Sequence, residues 1–335
     1  MGGFSENHIN SYEKKISLYQ LHRMYQDGRL VFPPVPAKTS KKKVEKVSSA
    51  LEAILMGVIL PVVYASERQD GSLLVQDSSD RLQCLMEFLE GRFPAAGLEF
   101  YPELDGCRLN TLERHFPRIS SLIYDSKIFL QVIEYTTPKY MHMQVGNYME
   151  KRSFIREQGV RNELYGKDLL AVLDYLERSL GRPAVFFSRQ KLNRQYMILR
   201  ILMYRFVLTE EIPEEYGEEM GLQQLLDRTV ECLRKKDDDE IEELAEDFES
   251  ATRKLIKQGE QVIPELVCER GKERQAKTLG YLYHVVWMCR ERGYRSGKGL
   301  KQILSDRELW EQIKSDKVTF ANIRRHYHEM EMRLR

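Results

Sequence analysis

Apolar positions along the chain follow two rhythms, and the change comes near Gly166. Before it the periods are mixed. Ile16, Tyr19, Leu21 and Met24 mark one amphipathic helix over residues 10–28, stopped by Asp27-Gly28. Leu30 to Val35 reads as a short extended piece, and its prolines assign it to a sheet edge or a turn. Ser40 or Ser48 can cap a helix running to Met56. Two short strands follow, joined through the hairpin signal Arg68-Gln69-Asp70-Gly71. Leu82, Leu85, Met86 and Leu89 make residues 81–90 an amphipathic helix, whereas residues 97–117 read as irregular, with room for short strands. Ile128 to Tyr135 is β-branched and aromatic and reads as a buried strand. Thr137-Pro138 then opens a helix with proline in its first turn.

From Gly166 the period settles near 3.6. Leu169, Leu170, Leu173, Leu176 and Leu180 form one stripe, ended by Gly181-Arg182-Pro183. Leu192, Tyr196, Leu199, Ile201, Leu202, Tyr204 and Phe206 form another. Further helical stretches are predicted over 222–236, 240–258, 276–292, 299–304 and 320–335, with no strand-like alternation after Phe187 and no internal repeat. The expected fold class is α+β, with an α/β domain at 1–165 followed by an all-helical domain at 166–335.

Composition narrows the class. The 335 residues suffice for two domains of ordinary size. With 42% hydrophobic and 31% charged residues, the chain reads as a soluble globular protein. No stretch approaches the roughly 20 apolar residues that span a bilayer, so no membrane is expected as a partner. Met1 to Glu6 has neither the basic nor the apolar region of a signal peptide. Cys84, Cys107, Cys232, Cys268 and Cys289 are widely spaced, with no Cys-x-x-Cys pair. Neither a zinc ribbon nor a disulfide framework is implied, and a cytoplasmic location is expected. Lys and Arg number 52 against 51 Asp and Glu, for a net charge of +1, which does not announce a nucleic-acid binder. Local segregation tells more. Lys38, Lys41, Lys42, Lys43 and Lys46 form a basic cluster, residues 237–249 an acidic run, and residues 290–335 a second basic stretch.

The candidate chemistry lies where the second hairpin strand runs into a helix, at Val75-Gln76-Asp77-Ser78-Ser79-Asp80-Arg81-Leu82. A loop between a buried strand and a helix start is where α/β proteins hold phosphates and metals. Asp77 and Arg81, four positions apart, can face one anionic ligand there. Arg81 would grip a phosphate with its fork of donors, and Asp77 would hold a metal or position a water. The plainer alternative is a junction in which Asp77 or Ser78 caps the helix and Arg81 forms a surface ion pair. Asp80 favours that alternative, because a second carboxylate repels a phosphate unless a cation intervenes.

Taken in order, several segments resemble the DGQQR-type domain at the N-terminus of Gmr-type modification-dependent restriction endonucleases. The resemblance rests on Val31-Phe32-Pro33-Pro34, on Ala53-Ile54-Leu55-Met56-Gly57-Val58-Ile59-Leu60-Pro61 and on Asp70-Gly71. It continues through Leu85-Met86-Glu87-Phe88-Leu89-Glu90-Gly91-Arg92-Phe93, Leu104 to Leu112 and Arg161-Asn162-Glu163-Leu164-Tyr165. It covers roughly residues 15–166. It implies a ParB/sulfiredoxin-like α/β fold and a site for nucleotide hydrolysis and DNA restriction. The departures lie in the motifs themselves. Pro36-Ala37 stand where the family has Gln-Arg, and Asp77-Ser78-Ser79-Asp80-Arg81 where it has Asp-Gly-Gln-Gln-Arg. Lys151-Arg152-Ser153 replace its glycine-paired loop.

Asp77 and Arg81 carry over from the family motif, and together with Asp80, in an altered arrangement, they are the candidate catalytic residues. Arg81, Ser78, Ser79, Arg161 and Asn162 are candidates for nucleotide or phosphate binding. The implied cofactor is a nucleoside triphosphate with Mg2+; no protein metal site is expected. Loss of most motif residues implies impaired catalysis, so the expected function is nucleotide, DNA or protein binding in a DNA-associated or phage-defence context. A working nucleotide hydrolase or DNA endonuclease with an altered motif is one alternative, and an interaction scaffold whose helical domain engages a protein partner is another. Lys38, Lys41, Lys42, Lys43 and Lys46 are the candidate DNA contacts, each adding a salt-sensitive phosphate interaction, against the plainer reading of a solvated helix start. The plainer reading of Arg161 and Asn162, and the favoured one, is hydrogen bonding between domains. Gly293 to Gly299 lacks phosphate-loop spacing, and His326 and His328 fall on nearly opposite faces of a helix, unsuited to joint chelation.

Overall fold

The structure is a computed structural model that describes residues 9–34, 40–76, 79–149, 154–179, 190–213, 217, 219–262, 273–291, 293, 302–303 and 305–334. Among these residues the protein is mixed α/β and mostly helical. It divides into two compact units, Met1–Leu164 and Tyr165–Arg335.

The first unit is built on a five-stranded sheet in the order β1-β5-β3-β4-β2. The strands are β1 (Ser11–Ser17), β2 (Leu30–Val31), β3 (Val63–Glu67), β4 (Leu73–Val75) and β5 (Lys127–Ile133). Pairing is antiparallel for β1 with β5 and for β3 with β4, and parallel for β2 with β4 and for β3 with β5. The helices are α1 (Leu18–Gln26), α2 (Ser40–Leu55), α3 (Ser79–Leu89), α4 (Leu109–His115), α5 (Pro117–Asp125), α6 (Lys139–Met149) and α7 (Phe154–Tyr165).

Strand alternation sorts side chains to two faces. Val63, Ala65, Leu73, Val75, Ile128, Leu130 and Val132 join the main core with Leu18 and Leu21 of α1, Val47 and Leu51 of α2, and Leu82, Leu85 and Phe88 of α3. Leu74 turns the other way and packs with Met143 of α6 and Val160 of α7. The sheet is therefore covered by α1 to α5 on one face and by α6 and α7 on the other.

Three expectations are corrected. The helix expected over 10–28 is a strand followed by a helix. Ser17 accepts a hydrogen bond from the Gln20 amide at 3.2 Å, and Gln20 answers on the Ser17 amide, so a capping box fixes the helix start at Leu18. Residues upstream are drawn into pairing with β5, over a hundred positions away, which local periodicity cannot register. Ser48 is not a cap. It lies inside α2, donating to the Ala96 carbonyl at 2.8 Å and accepting from the Ala96 amide at 3.0 Å. Residues 97–117 hold no strand among the described residues; a 3-10 turn at Pro102–Leu104 precedes α4.

The hairpin at Asp70-Gly71 forms as its residues demand. Gly71 takes φ +76°, and the Asp70 carboxylate accepts from the Ser72 amide and hydroxyl at 2.9 and 2.6 Å. Those two bonds hold the Asp70 carboxyl below its usual range.

The second unit is built of helices, α8 (Lys167–Ser179), α9 (Lys191–Leu208), α10 (Leu222–Lys235), α11 (Asp238–Val262), α12 (Glu273–Glu291), α13 (Arg307–Ser315) and α14 (Phe320–Leu334), with one isolated β-bridge between Gly221 and Thr319 among its described residues. Helix α9 is buried along almost its whole circumference and packs against α8, α10, α12 and α14. Its approach to α12 is set by Gly280, where a Cβ would fall inside the Tyr204 ring. Among the described residues no helix is long and apolar enough to cross a membrane, and the four described cysteines are free thiols.

Candidate functional site

Two parallel strands, β2 and β4, run side by side with Val31 opposite Leu74. Parallel neighbours end at the same edge of a sheet, so the chain leaves β2 into Phe32-Pro33-Pro34 and β4 into Gln76 at one place. Such strand ends are where open α/β sheets bind ligands. Helix α7 lies against them. Val160 packs on Leu74, and Gly159 faces Pro34 so closely that a Cβ would come within 2.9 Å of the proline carbonyl. The contact explains a glycine in mid-helix, at a conformational cost of about 1 kcal/mol relative to alanine.

The neighbouring α7 residues are polar and buried. Arg161 has no solvent exposure, and Glu157, Gln158 and Asn162 are buried beside it. The Arg161 Nη1 donates to Gln158 Oε1 at 3.2 Å, while Gln158 Nε2 donates to Asn162 Oδ1 at 2.7 Å. Farther along, Glu163 pairs with Arg68 at 3.7 Å. A buried guanidinium is costly unless hydrogen bonds hold it; Gln158 accepts from Arg161 and is itself held by Asn162.

A second polar group anchors the start of the β4–α3 connection. Gln76 Nε2 donates to Ser66 Oγ at 2.8 Å, Ser66 Oγ lies 2.7 Å from His142 Nδ1, and His142 Nε2 lies 3.0 Å from the Thr137 carbonyl. The Thr137 carbonyl can only accept, which places the proton of the neutral ring on Nε2. Nδ1 then accepts from Ser66, whose oxygen accepts from Gln76. Burial depresses the His142 pKa to about 4, against the raising effect of its backbone bonds, so the ring is neutral at pH 7. This relay ties the last described residue before Asp77 to β3 and α6.

The candidate residues are distributed as follows. Asp77, Ser78 and Lys38 lie outside the described residues, and the side chains of Ser79, Asp80 and Lys41 do too. Arg81 is exposed on the first turn of α3, beside a shallow apolar cleft formed by Leu60, Pro61, Val63, Leu82, Leu85 and Ile128. Arg161 and Asn162 sit on α7, across the sheet from α3. The expectation that Arg81 and Arg161 approach one phosphate thus requires a ligand reaching around the strand ends, because their helices cover opposite faces. Lys42 is exposed, but Lys43 turns inward to the buried Glu87 carboxylate at 2.7 Å. The lysines of α2 therefore do not form one uniform basic face. Among the described residues, no three His, Cys, Asp or Glu side chains converge on a metal-sized site.

Residue patterns single out Arg161 and Asn162 but pass over Gln158, Ser66 and His142. Gln158 was legible as the same-face neighbour of Asn162, four positions away. Ser66 and His142 are separated by 76 positions, and neither carries a motif. In the second unit His326 is buried, 2.7 Å from the Tyr281 hydroxyl and 2.8 Å from the Asp316 carboxylate, and its partners are structural neighbours rather than His328, which is exposed.

Comparison of the chain with family models, with curated proteins and with solved structures finds no match.

Proposed function

We propose that the first unit is a divergent, catalytically impaired ParB/sulfiredoxin-like domain of the restriction-enzyme type, which binds a phosphate-bearing ligand, nucleotide or DNA, in a DNA-associated or phage-defence context. One observation carries this reading: segments that resemble the family in sequence meet at a single strand edge. Pro33-Pro34 follow β2, Gln76 follows β4, and α7 brings Gly159 against Pro34 with Arg161 and Asn162 one turn or less beyond. A planar guanidinium held by Gln158 is suited to a phosphate, and because Arg161 has no solvent exposure a ligand reaches it only where this edge opens. The catalytic role falls away because the Gln and Gly positions of the motif are replaced. The cofactor in this reading is a nucleoside triphosphate.

The test is phosphate release from ATP and GTP with magnesium, run beside equilibrium binding of a labelled nucleotide and of duplex DNA. The native chain is expected to bind without hydrolysis above background. Release that disappears in Arg81→Ala would return the site to a working nucleotide hydrolase or nuclease. Neither binding nor release would favour an interaction scaffold, with the helical unit engaging a protein partner. The apolar surroundings of Arg81 already lean that way, since Leu60, Leu82 and Leu85 occupy ground where a nucleotide site would place polar groups.

A further inference from the structure

The connection from α2 to β3 carries apolar side chains on the outside. Met56, Val58, Ile59 and Val62 are 47, 55, 70 and 45% exposed. Surface connections are ordinarily polar, and a contiguous exposed apolar run marks a site of association. Beneath this rim lies a groove of about 290 Å3 at the head of β5, lined by Ile54, Leu60, Ile128 and Phe129. Two cations stand at the same groove. Lys15 of β1 lies 5.2 Å above the Phe129 ring, and Lys127 is exposed at the first position of β5. No carboxylate among the described residues pairs with either lysine.

We propose that this groove docks an acidic segment of a partner protein, one apolar side chain of which enters between Ile54 and Phe129 while flanking carboxylates face Lys15 and Lys127. The chemistry selects this occupant. An apolar floor rewards burial of a Leu- or Phe-sized group, and cations without local partners reward acids beside it. A nucleic-acid backbone gains nothing from the Val58-Ile59 rim. A bilayer is flat on this scale and leaves the concave floor unfilled. The groove adjoins the cleft beside Arg81, sharing Leu60 and Ile128 with it, and lies across the sheet order from β2 and the Pro34–Gly159 edge.

The experiment uses the full chain and a fluorescein-labelled peptide in which Phe is flanked on both sides by Glu and Asp, read by fluorescence anisotropy at two salt concentrations. Binding is expected to weaken with salt, and to weaken at least about tenfold in Ile59→Asp and in the Lys15→Glu, Lys127→Glu double variant. A peptide with Lys replacing each acid should not bind. The proposal is overturned if the native chain fails to bind the acidic peptide, if the variants bind it equally, or if the Lys peptide binds as well. Co-sedimentation with phosphatidylserine vesicles in the absence of peptide binding would give the surface to a membrane instead. The substituted positions are exposed, and matching thermal midpoints establish that the variants are folded. Should Ile59→Asp unfold, Ile59→Ser and Lys127→Gln carry the same comparison.

Discussion

Single side chains in this protein are held by contacts whose removal has calculable effects. His142 is the clearest titrating group. Its folded pKa of about 4 lies below its ordinary value near 6.5, so the folded state prefers the neutral ring. The unfolded chain takes up its proton first as pH falls. Stability contributed by neutral His142 is complete above about pH 6.5 and declines between pH 6.5 and 4, by about 1.4 kcal/mol per unit, reaching about 3 kcal/mol. Urea unfolding at pH 7, 5.5 and 4.5 should show that slope in the native chain and a shallower one in His142→Gln. An equal slope in both would assign the acid sensitivity to other groups. Lys43 is a second case. Its partner Glu87 has a side chain only 7% exposed, so Lys43→Ala strands a nearly buried carboxylate. A loss of about 1–3 kcal/mol is expected on denaturation, where a wholly solvated lysine would cost almost nothing.

At the scale of elements, start signals and close approaches decide what forms where. Ser17 ends a strand and begins a helix in one residue, and its hydroxyl is the switch between them. Ser17→Ala should cost about 1 kcal/mol in chemical denaturation, and Ser17→Asp should recover most of it; full stability of the alanine variant would mean that pairing with β5 alone sets the boundary. Gly280 performs the corresponding role between α9 and α12. Gly280→Ala drives a methyl into the Tyr204 ring, so the helices must separate. A loss of about 1–3 kcal/mol, with a lower thermal midpoint, is the expected outcome, although alanine is the better helix former. The amphipathic stripes of the second unit were plain in the sequence because packing there is between neighbouring helices with regular spacing. The strand of residues 11–17 was not, because its pairing partner lies at residues 127–133 and its own outward positions are polar.

For the molecule as a whole, near-neutral charge means that any nucleic-acid affinity arises from local patches rather than from a general field. On α2 the patch is smaller than the lysine count suggests, since Lys43 is committed to Glu87 while Lys42 faces water. If the first unit holds duplex DNA by this helix, Lys42→Ala should lower the slope of log affinity against log salt by about 0.9, whereas Lys43→Ala should change stability and leave the slope unaltered. The reverse pattern would remove α2 from the interface. The change of hydrophobic period near Gly166 lies close to the division between the units at Leu164 and Tyr165. That correspondence has a physical basis: a sheet-based core and a helix-based core impose different spacings on the residues that fill them.

The sequence by itself determined the mixed α/β character, the helical second half, the Asp70-Gly71 hairpin and the buried strand β5, because each depends on spacing or turn chemistry within a short window. Through resemblance alone it also grouped Arg161 and Asn162 with Arg81 as one expected phosphate site. Tertiary structure decided the rest. Parallel pairing of β2 with β4 brings Pro34 to Gly159, and packing of α3 and α7 on opposite faces of the sheet separates Arg81 from Arg161. The relay from Gln76 through Ser66 to His142 likewise exists only in the folded chain. These are contacts between residues far apart in the chain, and no local pattern encodes them, because the energy that fixes them is spent on excluding water from a core that the whole unit must close together.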